Sequence, residues 1–316
     1  MIETAPLTAG IEVGGLTGYL APEGFIDDLI AELGEVAAVH DRLVLVEGPA
    51  KPAAWAANIW RDPVRIPIGS IAEGAKALRA IQRNWALYDF QLHGRARLIQ
   101  ERLPHVSAKP LQFPQAVPAA PLGSWTLLDA TTILAAAHCS SPFPNGEIQF
   151  IEDKLAPPNR AYLKLWEAFT RLGRMPVPGQ RCLDLGASPG GWSWVLQSLG
   201  ATVLAVDKAP LAPDIAKLTQ IEFLKASAFA LEPVEVGPVD WLCSDVICYP
   251  ERLLKLVERW LASGLARNFL CTLKFQGETD HETARRFAAI PGSQLFHLHH
   301  NKHELTWCRL AGPSGG

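Results

Sequence analysis

No run of about 18 apolar residues, the length a spanning helix needs, occurs in this 316-residue chain. The first residues, Met-Ile-Glu-Thr-Ala-Pro, lack the basic stretch and following apolar stretch of a secretory signal. No signal peptide and a cytoplasmic location are therefore expected. The six cysteines (Cys139, Cys182, Cys243, Cys248, Cys271, Cys308) show no CxxC spacing. Four of them, Cys182, Cys243, Cys271 and Cys308, lie in apolar strand-like runs, where buried reduced thiols are expected. Charged residues make up only 19%, which argues against long charged disordered tails. A basic excess is also missing, since the formal net charge is −3. Any nucleic-acid contact must then rest on a local patch. No internal repeat is present.

The length allows two domains, each able to bury its own core. Residues 11–110 mix short elements. Gly18–Leu20 reads as extended, and Glu23–Leu33 as a helix with Phe25, Ile26, Leu29, Ile30 and Leu33 on one face. Ala37–Val46 reads as a strand pair, Ser70–Gln82 as a helix with Ser70 as N-cap, and Trp85–Leu92 as a strand. A small α+β domain of ferredoxin-like type over residues 1–103 is expected. Prolines at 104, 110, 114, 118 and 121 make residues 104–149 an expected extended connector with one β segment, Ser124–Ala137, and a turn at 141–146. Within the first region, Arg61–Lys109 carries nine Lys/Arg against four acids, a balance that suits phosphate contact or an ordinary solvated helix face.

Residues 150–316 alternate strand and helix. Strands are predicted at 181–186, 202–207, 221–224, 239–244, 268–274, 294–299 and 304–310, with helices at 160–172, 191–199, 211–218, 250–263 and 278–289. Such alternation requires a parallel sheet covered on both faces. The last two strands are too close for a crossover helix, so they must be antiparallel neighbours. The result is an α/β, Rossmann-like seven-stranded sheet with a reversed last strand.

The most informative stretch is Asp184-Leu-Gly-Ala-Ser-Pro-Gly-Gly191. An apolar strand enters a glycine-rich turn, and Trp192 begins the next helix. Gly186, Gly190 and Gly191 remove Cβ atoms where a ligand would approach, and Ala187, Ser188 and Pro189 complete the turn. The second strand ends in Asp207, placed to take two ribose hydroxyls. The spacing is G-x-x-x-G-G rather than the dinucleotide G-x-G-x-x-G. Four further polar residues fall at element ends: Lys164 on the helix before the first strand, Asp245 and Lys274 at strand ends, and Glu304 at the start of the last strand. Strand ends at one edge of a parallel sheet converge on the ligand crevice, so Asp245 and Lys274 are expected side by side.

With these residues in place, the second half resembles the FtsJ-like ribose 2′-O-methyltransferases. The matching segments are Leu-Ala-Pro-Pro-Asn-Arg-Ala-Tyr-Leu-Lys-Leu-Trp-Glu-Ala-Phe, Asp-Leu-Gly-Ala-Ser-Pro-Gly-Gly-Trp, Cys-Ser-Asp-Val and His-Glu-Leu-Thr. They span about 155–310 in the family's order. The resemblance implies S-adenosylmethionine as cofactor and a ribose of 23S (large-subunit) rRNA or its precursor as acceptor. It implies a catalytic tetrad of Lys164, Asp245, Lys274 and Glu304. The donor would be held by Gly186, Ala187, Ser188, Pro189, Gly190, Gly191, Trp192, Asp207, Ser227 and Asp245. The chain departs from the family at Ser188, usually cysteine, at Ala161, often a donor-contacting serine, and at Ser227, often an aspartate. The stretch between the first domain and residue 150, residues 104–149, is short for the family's full THUMP module and reads as a reduced form of it.

The chemistry is consistent with that implication. A ribose hydroxyl is a poor acid, so its attack on a sulfonium methyl needs a placed base. A lysine serves only when burial or a neighbouring cation favours its neutral form. Lys274 is the expected base and Lys164 the neighbouring cation, with Asp245 and Glu304 orienting the amines. No metal is required. His297, His299, His300 and His303 are read as a solvated or RNA-facing hairpin tip rather than a metal site. Trp166, Trp194, Trp241 and Trp260 are read as core. Two other readings stand beside this one: a noncatalytic RNA-binding protein that keeps the donor pocket, and an NAD-linked oxidoreductase, disfavoured by the turn spacing and the reversed hairpin.

Overall fold

A computed structural model describes residues 12, 13 and 15–312 and divides them into two units. The opening residues read as lacking a signal lie outside the described residues, as do 313–316. The first unit comprises the residues up to Pro110 together with Val117–Gln149. Its elements are β1 (Glu12–Val13), β2 (Leu16–Leu20), α1 (Ile26–Leu33), β3 (Ala38–His40), β4 (Leu43–Glu47), β5 (Asn58–Arg61) and β6 (Val64–Pro67). They continue with α2 (Ile71–Ile81), β7 (Trp85–Leu87), α3 (His93–Gln100), β8 (Gly123–Asp129), β9 (Thr132–Ala136) and β10 (His138–Cys139).

Two five-stranded sheets form, β10-β5-β2-β4-β3 and β1-β6-β9-β8-β7. The order β5-β2-β4-β3, with α1 after β2, follows a ferredoxin-like sheet. The second crossover helix of such a fold is replaced by irregular chain between β4 and β5. The ferredoxin-like expectation for the whole of residues 1–103 is not borne out, because β7 joins the other sheet and α2 packs on it. That sheet draws in residues expected as connector, because β8 and β9 bury Trp125, Leu127, Ile133 and Ala135 against Ala75, Leu78, Ala96 and Ile99 of α2 and α3. Trp85 and Tyr88 are core residues as well. Ser70 caps α2, its hydroxyl accepting the Glu73 N–H at 3.2 Å. On the outer side of the α2–α3 segment Lys76, Arg79, Arg83, Arg97 and Arg102 are exposed.

The second unit comprises Leu111–Ala116 and Phe150–Gly316. Leu111 bridges to Phe150, and Phe113 stacks on Trp166 with centroids 4.9 Å apart, so this part of the expected connector belongs with the second core. The elements are α4 (Tyr162–Leu172), β11 (Arg181–Leu185), α5 (Gly191–Ser198), β12 (Thr202–Asp207), α6 (Pro213–Ala216), β13 (Ile221–Lys225) and α7 (Pro233–Val236). Then follow β14 (Val239–Ser244), α8 (Pro250–Ser263), β15 (Ala266–Lys274), α9 (His281–Ala288), β16 (Ser293–Phe296) and β17 (Glu304–Arg309).

The sheet order is β13-β12-β11-β14-β15-β17-β16. The five strands from β13 to β15 run parallel, and β17 is antiparallel to both its neighbours. Continuous apolar runs such as Val203, Ala205 and Val206 suit strands covered on both faces. Cys182, Cys243, Cys271 and Cys308 are buried free thiols, as is Cys248. Trp241 and Trp260 are core, and Trp194 is half-buried. No helix among the described residues is long and apolar enough to cross a membrane.

Candidate active site

The reversal of β17 decides where the charged residues meet. Parallel strands present their carboxyl ends at one edge, and an antiparallel strand presents its start there. Glu304, first in β17, is therefore registered directly opposite Lys274, last in β15. Asp245 follows β14, its N–H continuing the ladder to the Leu185 carbonyl at 3.2 Å. Lys164 lies in the first turn of α4, which leads into the same sheet.

All four side chains come together. Lys164 Nζ lies 2.6 Å from Glu304 Oε1 and 3.3 Å from Asp245 Oδ1. Lys274 Nζ lies 3.1 Å from the same Asp245 oxygen and donates to the Asp245 carbonyl at 2.6 Å. Each side chain is less than one-fifth exposed. Burial works against the Lys164 charge, but Asp245 and Glu304 outweigh it and hold the lysine pKa above its ordinary value. Lys164 is a fixed cation.

Beside this cluster is a crevice of about 170 Å³, bounded by Gly186, Asp207, Ser227, Phe229, Val246 and Ile247. Gly186, Asp207 and Ser227 of the expected donor set line it. The Asp207 carboxylate accepts the Ser188 N–H at 3.0 Å and the Ala209 N–H at 2.9 Å, one on each oxygen. A carboxylate oxygen has two acceptor positions, so each keeps one. The Ser188 hydroxyl is directed to the Pro210 carbonyl at 2.8 Å. Trp192 is buried and donates to the Ala161 carbonyl at 3.0 Å, which ties α5 to α4. Ala187, Pro189, Gly190 and Gly191 shape the turn without lining the crevice.

The glycines have a second reason beyond ligand approach. A Cβ on Gly186 would lie 2.6 Å from Val246 Cα, one on Gly190 2.7 Å from the Ile215 side chain, and one on Gly191 against the Asn159 side chain. Packing within the unit already demands them. Phe229 and Arg252, whose guanidinium carbon lies 3.9 Å from the Phe229 ring centroid, were not singled out from sequence. The rule that strand ends line the crevice, applied to β13, points to the Phe229 segment.

Asp184, at the end of the turn's strand, is fully buried. Its Oδ2 accepts the Ser193 hydroxyl at 2.6 Å, and its Oδ1 has no partner within the protein. Burial, reinforced by the Asp245 and Asp207 charges, pushes its pKa up to about 7. The folded value exceeds the unfolded one, so this group's contribution to stability is present at low pH and lost as pH rises through about 7. An Asp184→Asn protein keeps an acceptor for Ser193 and loses the titration. Its melting temperature relative to the wild type is expected to rise between about pH 5 and about pH 8, as read by thermal melts. A constant difference would assign the proton elsewhere.

Of the four histidines expected at a solvated or RNA-facing tip, only His299 is exposed. His297 is buried, and burial pulls its pKa down to about 4. His300 is held by Glu167 at 2.7 Å, and His303 by Thr279 at 2.7 Å. Among the described residues no group of three His, Cys, Asp or Glu gathers as metal ligands would.

Residues 157–278 match the model of a family described as FtsJ-like methyltransferase. The ribosomal RNA large subunit methyltransferase M of Halorhodospira halophila is 37% identical over 157 residues, 47% of this chain and 46% of its own. The protein of that name from a Marinomonas strain is 32% identical over 189 residues, 54% of this chain and 53% of its own. The chain spans about half the length of the curated relatives it matches. A solved structure described as a hemolysin of Streptococcus thermophilus aligns with TM-score 0.41 and 20% identity over 54% of this chain and 74% of that one. That likeness is too low to bear on function.

Proposed function

We propose, taking residues 157–278 as an FtsJ-like methyltransferase domain, that the chain transfers a methyl group from S-adenosylmethionine to a ribose 2′-hydroxyl of RNA. The acceptor is large-subunit rRNA, and the reaction is cytoplasmic. The observation that carries this reading is the meeting of two lysines and two carboxylates at the carboxyl edge, beside a nucleoside-sized crevice.

The residues suit the donor. The crevice, about 170 Å³, takes the nucleoside end of the donor. Asp207 offers its free acceptor positions to the ribose hydroxyls, and Ser227 and Phe229 flank the base. When bound, the donor supplies an electrophilic methyl on a sulfonium.

The chain's own residues then handle the proton. An amine that has lost one proton keeps two N–H donors and a lone pair. Asp245 occupies two directions around Lys274 Nζ, through its carboxylate and its carbonyl. The remaining direction is available to an acceptor hydroxyl, whose proton Lys274 takes. Lys164, kept charged by Asp245 and Glu304, offsets the two carboxylates beside Lys274. Aligning hydroxyl oxygen, methyl carbon and sulfur supplies much of the rate. The first unit, with its exposed cations on α2 and α3, contacts RNA phosphates.

The test is incubation of the full chain with labelled donor and unmodified 23S rRNA, followed by an alkaline ladder. A methylated 2′-oxygen cannot attack its phosphate, so the expected result is label with one gap in the ladder. Label with an unbroken ladder would move the methyl to a base. No label on rRNA would remove the RNA acceptor.

A further inference from the structure

Helix α4 carries a second acid whose surroundings bear on the site. Glu167 is one turn beyond Lys164, and its side chain is fully buried. Both carboxylate oxygens face the chain between β16 and β17. Oε1 accepts the His299 N–H at 2.8 Å, and Oε2 accepts the His300 N–H at 3.0 Å and pairs with His300 Nδ1 at 2.7 Å. Arg171, one turn further on, lies 2.8 Å from Oε1 and donates to the His297 carbonyl at 3.2 Å. Burial alone would raise the Glu167 pKa, but Arg171 and the His300 and His299 donors outweigh it and hold the carboxyl below its ordinary value.

This clamp ends four residues before Glu304. Between them, Asn301 donates to the Glu304 carbonyl at 3.1 Å and to the Thr306 hydroxyl at 3.2 Å, and His297 Nε2 meets the Lys302 carbonyl at 3.1 Å. Glu304 then meets Lys164 at 2.6 Å. One helix therefore grips the same loop twice, through Glu167 at the backbone of 299–300 and through Lys164 at the carboxylate of Glu304. We infer that Glu167 is a positioning residue for the methyl-transfer site: it sets the 297–303 loop so that Glu304 meets Lys164 opposite Lys274. This rests on the reading proposed above, though the loop's dependence on Glu167 does not.

Glu167→Gln keeps the shape and one acceptor but turns an NH2 group toward donors. Two readouts on the full chain decide the inference. In hydrogen exchange, the amides of 299–304 should exchange at least about tenfold faster than in the wild type, with α8 and β12 unchanged. In methyl transfer to 23S rRNA, kcat should fall about 10- to 100-fold with KM for donor and RNA within about twofold. A uniform loss of protection with kcat and KM moving together would reduce Glu167 to a stability role. Wild-type exchange and kcat would overturn the inference outright. If Glu167→Gln does not melt cooperatively, Glu167→Asp decides, because it keeps the charge but draws the carboxylate one methylene back from both backbone amides. Faster exchange at 299–304 and at least about a threefold fall in kcat at constant KM are then expected, and wild-type values overturn it. If the wild type transfers no methyl to rRNA, the proposed function fails while the exchange result still decides the clamp.

Discussion

Lys274→Ala is expected to lower methyl transfer by about 10³-fold or more, within the range for losing a placed general base together with its orienting contacts. Donor affinity, measured by calorimetry, should stay within about twofold, because Lys274 does not line the nucleoside crevice. The fold should survive. Removing the lysine leaves Asp245 with Lys164 at 3.3 Å, so no buried carboxylate loses its only cation. Lys274→Arg should not restore the rate, since a guanidinium keeps its proton and cannot act as base. Lys164→Ala is the informative contrast: it strips both Glu304 and Asp245 of a close cation, so it should cost stability as well as rate. Full methyl transfer by the Lys274→Ala protein would sink the assignment of the base.

Much of the second unit was legible because its physics is local. Parallel strands covered on both faces read as short apolar runs, and the residue ending each run lands at the ligand edge. Lys274, Asp245 and Asp207 could be placed by that rule alone. Glu304 needed one more step, the inference that a short final connection reverses the last strand. Glu167 was invisible for the opposite reason. An acid within Leu-Trp-Glu-Ala-Phe reads as the solvated side of a helix, and only the fold reveals that backbone donors from 132 and 133 residues away surround it. His300 misled in the same way, since Glu167, which anchors it, is 133 residues away.

The first unit was the least legible part. Its sheets pair β6 with β9 and β7 with β8, so strands near the beginning find partners beyond the proline-rich stretch. Nothing in the period of Val64–Pro67 or Trp85–Leu87 announces such partners. The alternation of Trp125 and Leu127 signals a half-buried strand without saying against what it is buried.

Gly186→Ala should be a strongly damaging one-methyl change, and it tests how turn and cluster are coupled. The new Cβ would lie 2.6 Å from Val246 Cα and 2.8 Å from Val246 N, both backbone atoms with no rotamer to yield. Gly186 also sits at φ +80°, where an L side chain is strained. Overpacking and backbone strain together predict a loss of about 2 to 4 kcal/mol, visible as a lower denaturation midpoint at constant slope. The functional loss should exceed what that destabilisation explains. Val246 lines the crevice proposed for the donor and follows Asp245, the residue on which both lysines converge. Pushing it away disturbs the donor pocket and the proton-handling cluster in one movement. Under conditions where the variant is fully folded, donor affinity should fall by at least about tenfold and kcat at saturating donor by about 10². A folded variant with normal donor affinity would mean that the turn and the Asp245 segment move independently. The crevice and the charged cluster would then be neighbours without being one site.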